Sequence, residues 1–208
     1  MTYVSSLLLI AGVYLLVLAS PGPNFFILSQ MALNGRRKEA RYVVLGLTTG
    51  SIFWVVLTLA GVATLLAQHP LLAYSVRLLG AVYLIWYGAR LLWSAIKPAG
   101  QTADAPLAGH MAHAVAYRTG LLTGVTNPKG AAFWTSAFAA LFPATAPLWF
   151  YFATVAMVAG LSLVWHLGIT VVFGTQALRN GYRRIERAIN GCAGAALIFL
   201  GLNRLMVR

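Results

Sequence analysis

The sequence predicts an all-α, polytopic membrane protein of six transmembrane helices, arranged as a 3+3 inverted repeat with helix breaks in the first and fourth. Three observations predict it. The 208 residues are 60% hydrophobic and 9% charged, with a mean hydropathy of +0.80, more apolar than a soluble surface can carry. Six apolar segments can be drawn, each near the roughly 20 residues that a span needs. The first and fourth are interrupted by proline, glycine and asparagine.

Taken in order, the first segment covers residues 4–33, too long for one straight crossing and interrupted at Pro21 and Pro23. No Lys or Arg precedes it and a basic cluster follows, the reverse of a signal peptide, so it is expected to be retained. The second and third cover residues 43–66 and 71–93. The fourth runs over residues 120–141 with its interruption at Pro128, the fifth over 148–173 and the sixth over 188–206. Residues 1–95 then form one three-helix repeat, 96–117 a cytoplasmic connection and 118–208 the second repeat.

Charge sets the orientation. Fifteen Lys and Arg face three acidic residues, for a net charge of +12. Such an excess can signal nucleic acid, but these cations sit between apolar runs, where they fix topology, and no nucleic-acid partner is expected. Arg36, Arg37, Lys38 and Arg41, then Arg90, Lys97 and Arg118, then Arg179, Arg183, Arg184 and Arg187 all fall on one face. By the positive-inside rule that face is cytoplasmic and both termini lie outside the cytoplasm. An odd number of spans per half makes the halves oppositely oriented, which is the inverted repeat.

The paired interruptions are the candidate site. At 1.5 Å per residue, Pro23 lies about 16 Å from the cytoplasmic end near Asn34, and Pro128 about 15 Å from Arg118. Both therefore fall near mid-bilayer, where they can meet. Proline removes a donor and displaces the carbonyl four residues back, so the carbonyls of Val17, Ala19 and Gly124 should lose helical partners. Exposed carbonyls suit an ammonium, and exposed amides at a helix N-terminus suit a carboxylate. A zwitterionic amino acid presents both. Pro21, Gly22, Pro23, Asn24, Asn127, Pro128 and Lys129 are the candidate substrate-binding residues. Glu39, Asp104 and Glu186 are all assigned to connections, which leaves Lys129 as an intramembrane cation without a protein carboxylate, and an unpaired charge at that depth marks function by default. Snorkelling of Lys129 to the interface is the plainer alternative.

Other features carry less. His166, mid-span in segment five, is a candidate for proton coupling, or else a hydrogen-bonded core histidine. Arg77 is read as snorkelling near an outer end. Gly46-xxx-Gly50 and Gly120-xxx-Gly124 read as close-packing surfaces, and Cys192 as a small core residue. Walker loops, HExxH, CxxC pairs and nucleophile elbows are absent from the sequence, so no metal, cofactor or enzymatic chemistry is expected. A non-transporting membrane subunit and a passive channel are the alternatives; a membrane enzyme acting on lipid has less support.

Ser20-Pro21-Gly22-Pro23-Asn24-Phe25-Phe26, the Ser29-Gln30 and Arg37-Lys38-Glu39-Ala40 after it, and Asn127-Pro128-Lys129 resemble the lysine-exporter/homoserine-resistance (LysE/RhtB) family of amino-acid exporters. Gly181-Tyr182-Arg183-Arg184 and the glycines 191, 194 and 201 resemble its threonine-exporter branch. The resemblance implies six spans in a bacterial inner membrane and export of threonine, homoserine or homoserine lactone driven by protons, with a homo-oligomer left open. Members of that branch can carry Asp where this chain has Asn24 and Asn190. With amides there, His166 and Lys129 are the titratable candidates within the spans.

Overall fold

The computed structural model describes residues 3–68, 70–96, 111–127, 129–130, 133–134, 141–143, 146–173 and 176–206. These residues form helices and turns, with no strand among them. The elements are α1 (Tyr3–Ala19), α2 (Pro23–Leu33), α3 (Arg37–Gln68), α4 (Pro70–Ile96), α5 (His113–Thr126), α6 (Leu148–Val172) and α7 (Gln176–Met206). In lipid every backbone polar group needs an internal partner, and long runs of Leu, Val and Ala meet that need as helix.

By length and apolarity, Arg37–Ala60, Leu148–Val172 and Ile185–Asn203 are long enough to cross a membrane. The pair α1 and α2 makes a fourth candidate, bent by 56° at its break. Residues 81–96 of α4 form a shorter apolar helix. The helices overrun the apolar windows drawn on the sequence. Helix α5 starts at His113, and α7 starts at Gln176, so Arg118 and the cluster 179–187 are helical rather than in loops. Lys and Arg are good helix formers, so a basic flank continues a helix instead of stopping it.

Three placements are corrected by this extension. Glu39 lies in the first turn of α3 and is 8% exposed, not in a connection. Glu186 falls at the start of the Ile185–Asn203 span. Cys192 is exposed on α7 rather than part of the core. Pro128, Lys97, Asp104, His110 and the side chain of Arg77 lie outside the described residues.

The turn from α2 to α3 shows how local chemistry ends a helix. Gly35 has φ +71°, its N–H bonds the Ala32 carbonyl at 3.2 Å, and the Arg36 N–H reaches the Met31 carbonyl at 2.9 Å. This is the Schellman pattern, which needs the left-handed residue that glycine supplies.

Buried residues follow one stripe on each helix. In α6 they are Phe150, Thr154, Val158, Ser162, His166, Ile169 and Thr170, close to a four-residue period, while Phe152, Val164 and Val171 point outward. The outer face is apolar and the inner stripe carries hydroxyls and an imidazole, as expected where the solvent is lipid.

Two glycine-lined seams bring backbones together. A Cβ on Gly46 would overlap the backbone of Tyr117 and Leu121, and one on Gly120 would overlap Val43, so the two Gly-xxx-Gly surfaces of α3 and α5 face each other. Between α4 and α7, a Cβ on Gly88 would lie 2.6 Å from the Gly194 carbonyl, and one on Gly194 equally close to the Gly88 carbonyl. These are the two most extensive helix interfaces. The core divides in two around them. Tyr14, Phe133, Trp134, Phe150 and Leu197 belong to one cluster, and Phe25, Leu28, Val43, Leu47 and Ile169 to the other. Helix α1 contributes to the first and α2 to the second, so the bend between them sits where the clusters adjoin.

Candidate functional site

The first break is built by its prolines. Gly22 caps α2 in an extended conformation (φ −169°, ψ −173°), the state a following proline favours, and Pro23 occupies the first helical position, where its missing N–H costs nothing. The chain rejoins helical bonding through Phe26 N–H to the Gly22 carbonyl at 3.0 Å. The carbonyl of Ser20, between the two half-helices, accepts a hydrogen bond from Lys129 Nζ.

The second break follows the same rule. Helix α5 stops at Thr126, and Asn127, the residue before Pro128, is extended (φ −68°, ψ 109°). Helix is regained at Lys129. Asn127 is 6% exposed, and its amide has two partners: Oδ1 accepts the Lys129 N–H at 3.0 Å, and Nδ2 donates to Asn24 Oδ1 at 3.0 Å. One side chain therefore shapes its own break and ties it to the other.

Diverting the Lys129 N–H to Asn127 takes it from the Val125 carbonyl, its partner in a continuous helix. That carbonyl instead accepts the indole Nε1–H of Trp54 at 3.1 Å. Side chains thus reach the carbonyls of Ser20 and Val125 at the two breaks.

Two cavities adjoin the breaks. A small chamber of about 50 Å³ is lined by Tyr14, Ser20, Asn24, Trp54, Asn127, Lys129 and His166. That volume holds a few waters. A larger cavity of about 470 Å³ lies against Pro21, Pro23, Tyr87, Arg90 and Asn190. Gly22, Asn127 and Lys129 line both, and Lys129 keeps partial exposure there.

Beyond the chamber runs a chain of side-chain hydrogen bonds. Tyr14 donates its hydroxyl to Ser51 Oγ at 3.3 Å, Ser51 Oγ lies 3.5 Å from Ser162 Oγ, and Ser162 Oγ lies 3.1 Å from His166 Nδ1. Thr48 Oγ1 joins Ser162 at 3.4 Å. His166 is 2% exposed and borders the chamber. Among the described residues no three His, Cys, Asp or Glu side chains are grouped to hold a metal ion.

Of the sequence-predicted residues, Pro21 and Pro23 line the larger cavity, Asn24 and His166 the small chamber, and Gly22, Asn127 and Lys129 both. Pro128 falls outside the described residues. The Ser20 carbonyl, Trp54, Tyr14, Ser51 and Ser162 were missed. Ser162 and His166, four residues apart on a helix, carried a usable signal: two polar groups on one face of an apolar segment.

Comparison with known proteins adds to this geometry. The LysE type translocator family matches residues 15–207. The chain is 32% identical to the threonine efflux protein of Escherichia coli (strain K12) over 205 residues, 97% of this chain and 98% of that relative. It is also 32% identical to the threonine efflux protein of Salmonella typhi over 203 residues, covering 96% and 97%. A leucine efflux protein of Enterobacter sp. (strain 638) is 32% identical over 129 residues, 62% of this chain and 59% of the relative. No solved structure matches.

Proposed function

Because the chain belongs to the LysE type translocator family, whose members are transporters and not enzymes, we propose that it is a secondary exporter of small neutral amino acids of the threonine and homoserine type. It works by alternating access, with both termini outside the cytoplasm and the spans arranged as six in a 3+3 inverted repeat. The observation that carries the reading is Lys129. Its ammonium sits where both breaks meet, and its partner is the Ser20 carbonyl, not a carboxylate. A substrate carboxylate would pair with this ammonium directly, with Asn24 and Asn127 beside it to exchange hydrogen bonds, while Glu186 lines the same larger cavity. On this reading the free acids bind better than homoserine lactone, which has no carboxylate.

Helix pairing supports the repeat. Helix α3 packs on α5, while α6 packs on α1 and α2; α3 packs on α6, and α4 on α7. Exchanging α1 and α2 for α5, α3 for α6 and α4 for α7 maps these pairs onto one another, whereas α2 on α3, α1 on α7 and α3 on α4 have no counterpart of like extent among the described residues.

Protons drive the cycle through His166. Ser51 donates to the Leu47 carbonyl at 3.2 Å, and Ser162 Oγ, between Ser51 Oγ and His166 Nδ1, links the imidazole to the Tyr14 hydroxyl. The imidazole borders the chamber that also holds Lys129. His166→Gln removes the titrating group and should flatten the pH dependence of export; an unchanged profile removes His166 from the proton path.

The test of the whole reading is counterflow of labelled threonine in proteoliposomes. Wild-type protein should accumulate label, and Lys129→Ala, inserted at equal level, should not. Wild-type rates in Lys129→Ala would overturn the site.

A further inference from the structure

The small chamber holds only a few waters, whereas the neighbouring cavity of about 470 Å³ is within the range of small-molecule sites. One of its walls is the mid-membrane site itself, through Pro21, Gly22, Pro23, Asn127 and Lys129, and the walls from α4 and α7 differ in character. On α4, Tyr83, Trp86 and Arg90 line it, with the Arg90 guanidinium 5.8 Å from the Trp86 ring centroid. On α7, Glu186 and Asn190 line it, one helical turn apart and so on one face. Asn190 is 3% exposed, and its Oδ1 has no hydrogen-bond partner. A buried amide oxygen left without a donor is costly unless a ligand or water supplies one.

We infer that this cavity is a second amino-acid site, a loading antechamber that binds the zwitterion before it reaches Lys129. The inference rests on the exporter reading above. Arg90 takes the carboxylate, Asn190 Oδ1 takes the ammonium, and the rings of Tyr83 and Trp86 face the side chain. The guanidinium of Arg90 and the amide oxygen of Asn190 sit on different helices, so an α-amino acid is matched at both ends, and an amine or an acid alone satisfies only one wall. Lys129, Asn127 and Gly22 form the partition that the antechamber shares with the inner chamber. Arg90 and Arg187 belong to the basic face, the cytoplasmic side in the expected topology and the side from which an exporter loads.

The experiment is threonine export measured against its concentration on the loading side, in proteoliposomes of wild type, Arg90→Gln, Arg90→Lys and Asn190→Leu. Arg90→Gln and Asn190→Leu should each raise the half-saturating concentration about tenfold, with the maximal rate held within about twofold, since each loses one polar contact made on entry. Arg90→Lys should recover part of the loss, and ethanolamine or lactate should compete poorly. If wild type exports and these variants keep its half-saturation, or lose maximal rate alone, the antechamber is wrong while the central site stands. If wild type neither exports threonine nor is thermally stabilised by it, the exporter reading fails and the antechamber falls with it.

Discussion

The two helix breaks look alike in sequence and differ in what they bring to the site. The first, at Ser20 to Pro23, offers backbone: a bend of 56° and a carbonyl turned to the interior. The second, at Asn127, offers side chains: an amide that holds both breaks and an ammonium that crosses between them. The two breaks thus form an asymmetric pair, a backbone acceptor on one side and side-chain donors on the other.

Healing the first break should have the largest effect. With Pro21→Ala and Pro23→Ala together, α1 and α2 can join into one straight helix, and the Ser20 carbonyl returns to helical bonding. Export should be lost in that double variant while membrane insertion persists; retention of wild-type export would show that the bend is dispensable. Asn127→Leu comes next. It cuts the bond to Asn24 and frees the Lys129 N–H, and threonine export should fall about tenfold, in line with loss of a buried amide with two partners. Trp54→Phe tests how the second break is sealed. Removing the donor to the Val125 carbonyl should cost about 1 kcal/mol of stability, read as a lower melting temperature of the purified protein. Gly22→Ala should do least. A Cβ there would lie 3.5 Å from Lys129 Cδ and 3.7 Å from Nζ, ordinary contact distances, so export should stay within about twofold of wild type.

What the sequence revealed follows from the range over which each constraint acts. Proline acts on its own residue and its immediate neighbour, so the non-helical states of Gly22 and Asn127 could be read directly. The side chain that answers each break could not be, because it depends on how helices are rotated about their axes. Trp54 lies 71 residues from Val125, and Tyr14 lies 37 from Ser51. Helix ends were misjudged where cations continued the helix, which moved Glu186 from a loop to a cavity wall. The Gly-xxx-Gly spacings were visible, but two such surfaces do not say which partner each will take.

The glycine seams have a mechanical consequence. Backbones in direct contact leave no side-chain layer to deform, so α3 with α5 and α4 with α7 each behave as a stiff plank. If the proposed alternating access tilts these planks, the crease between α1 and α2 is the segment already folded, placed at the boundary of the two apolar cores. The carrier would then swing on the same fold of backbone that grips its cargo.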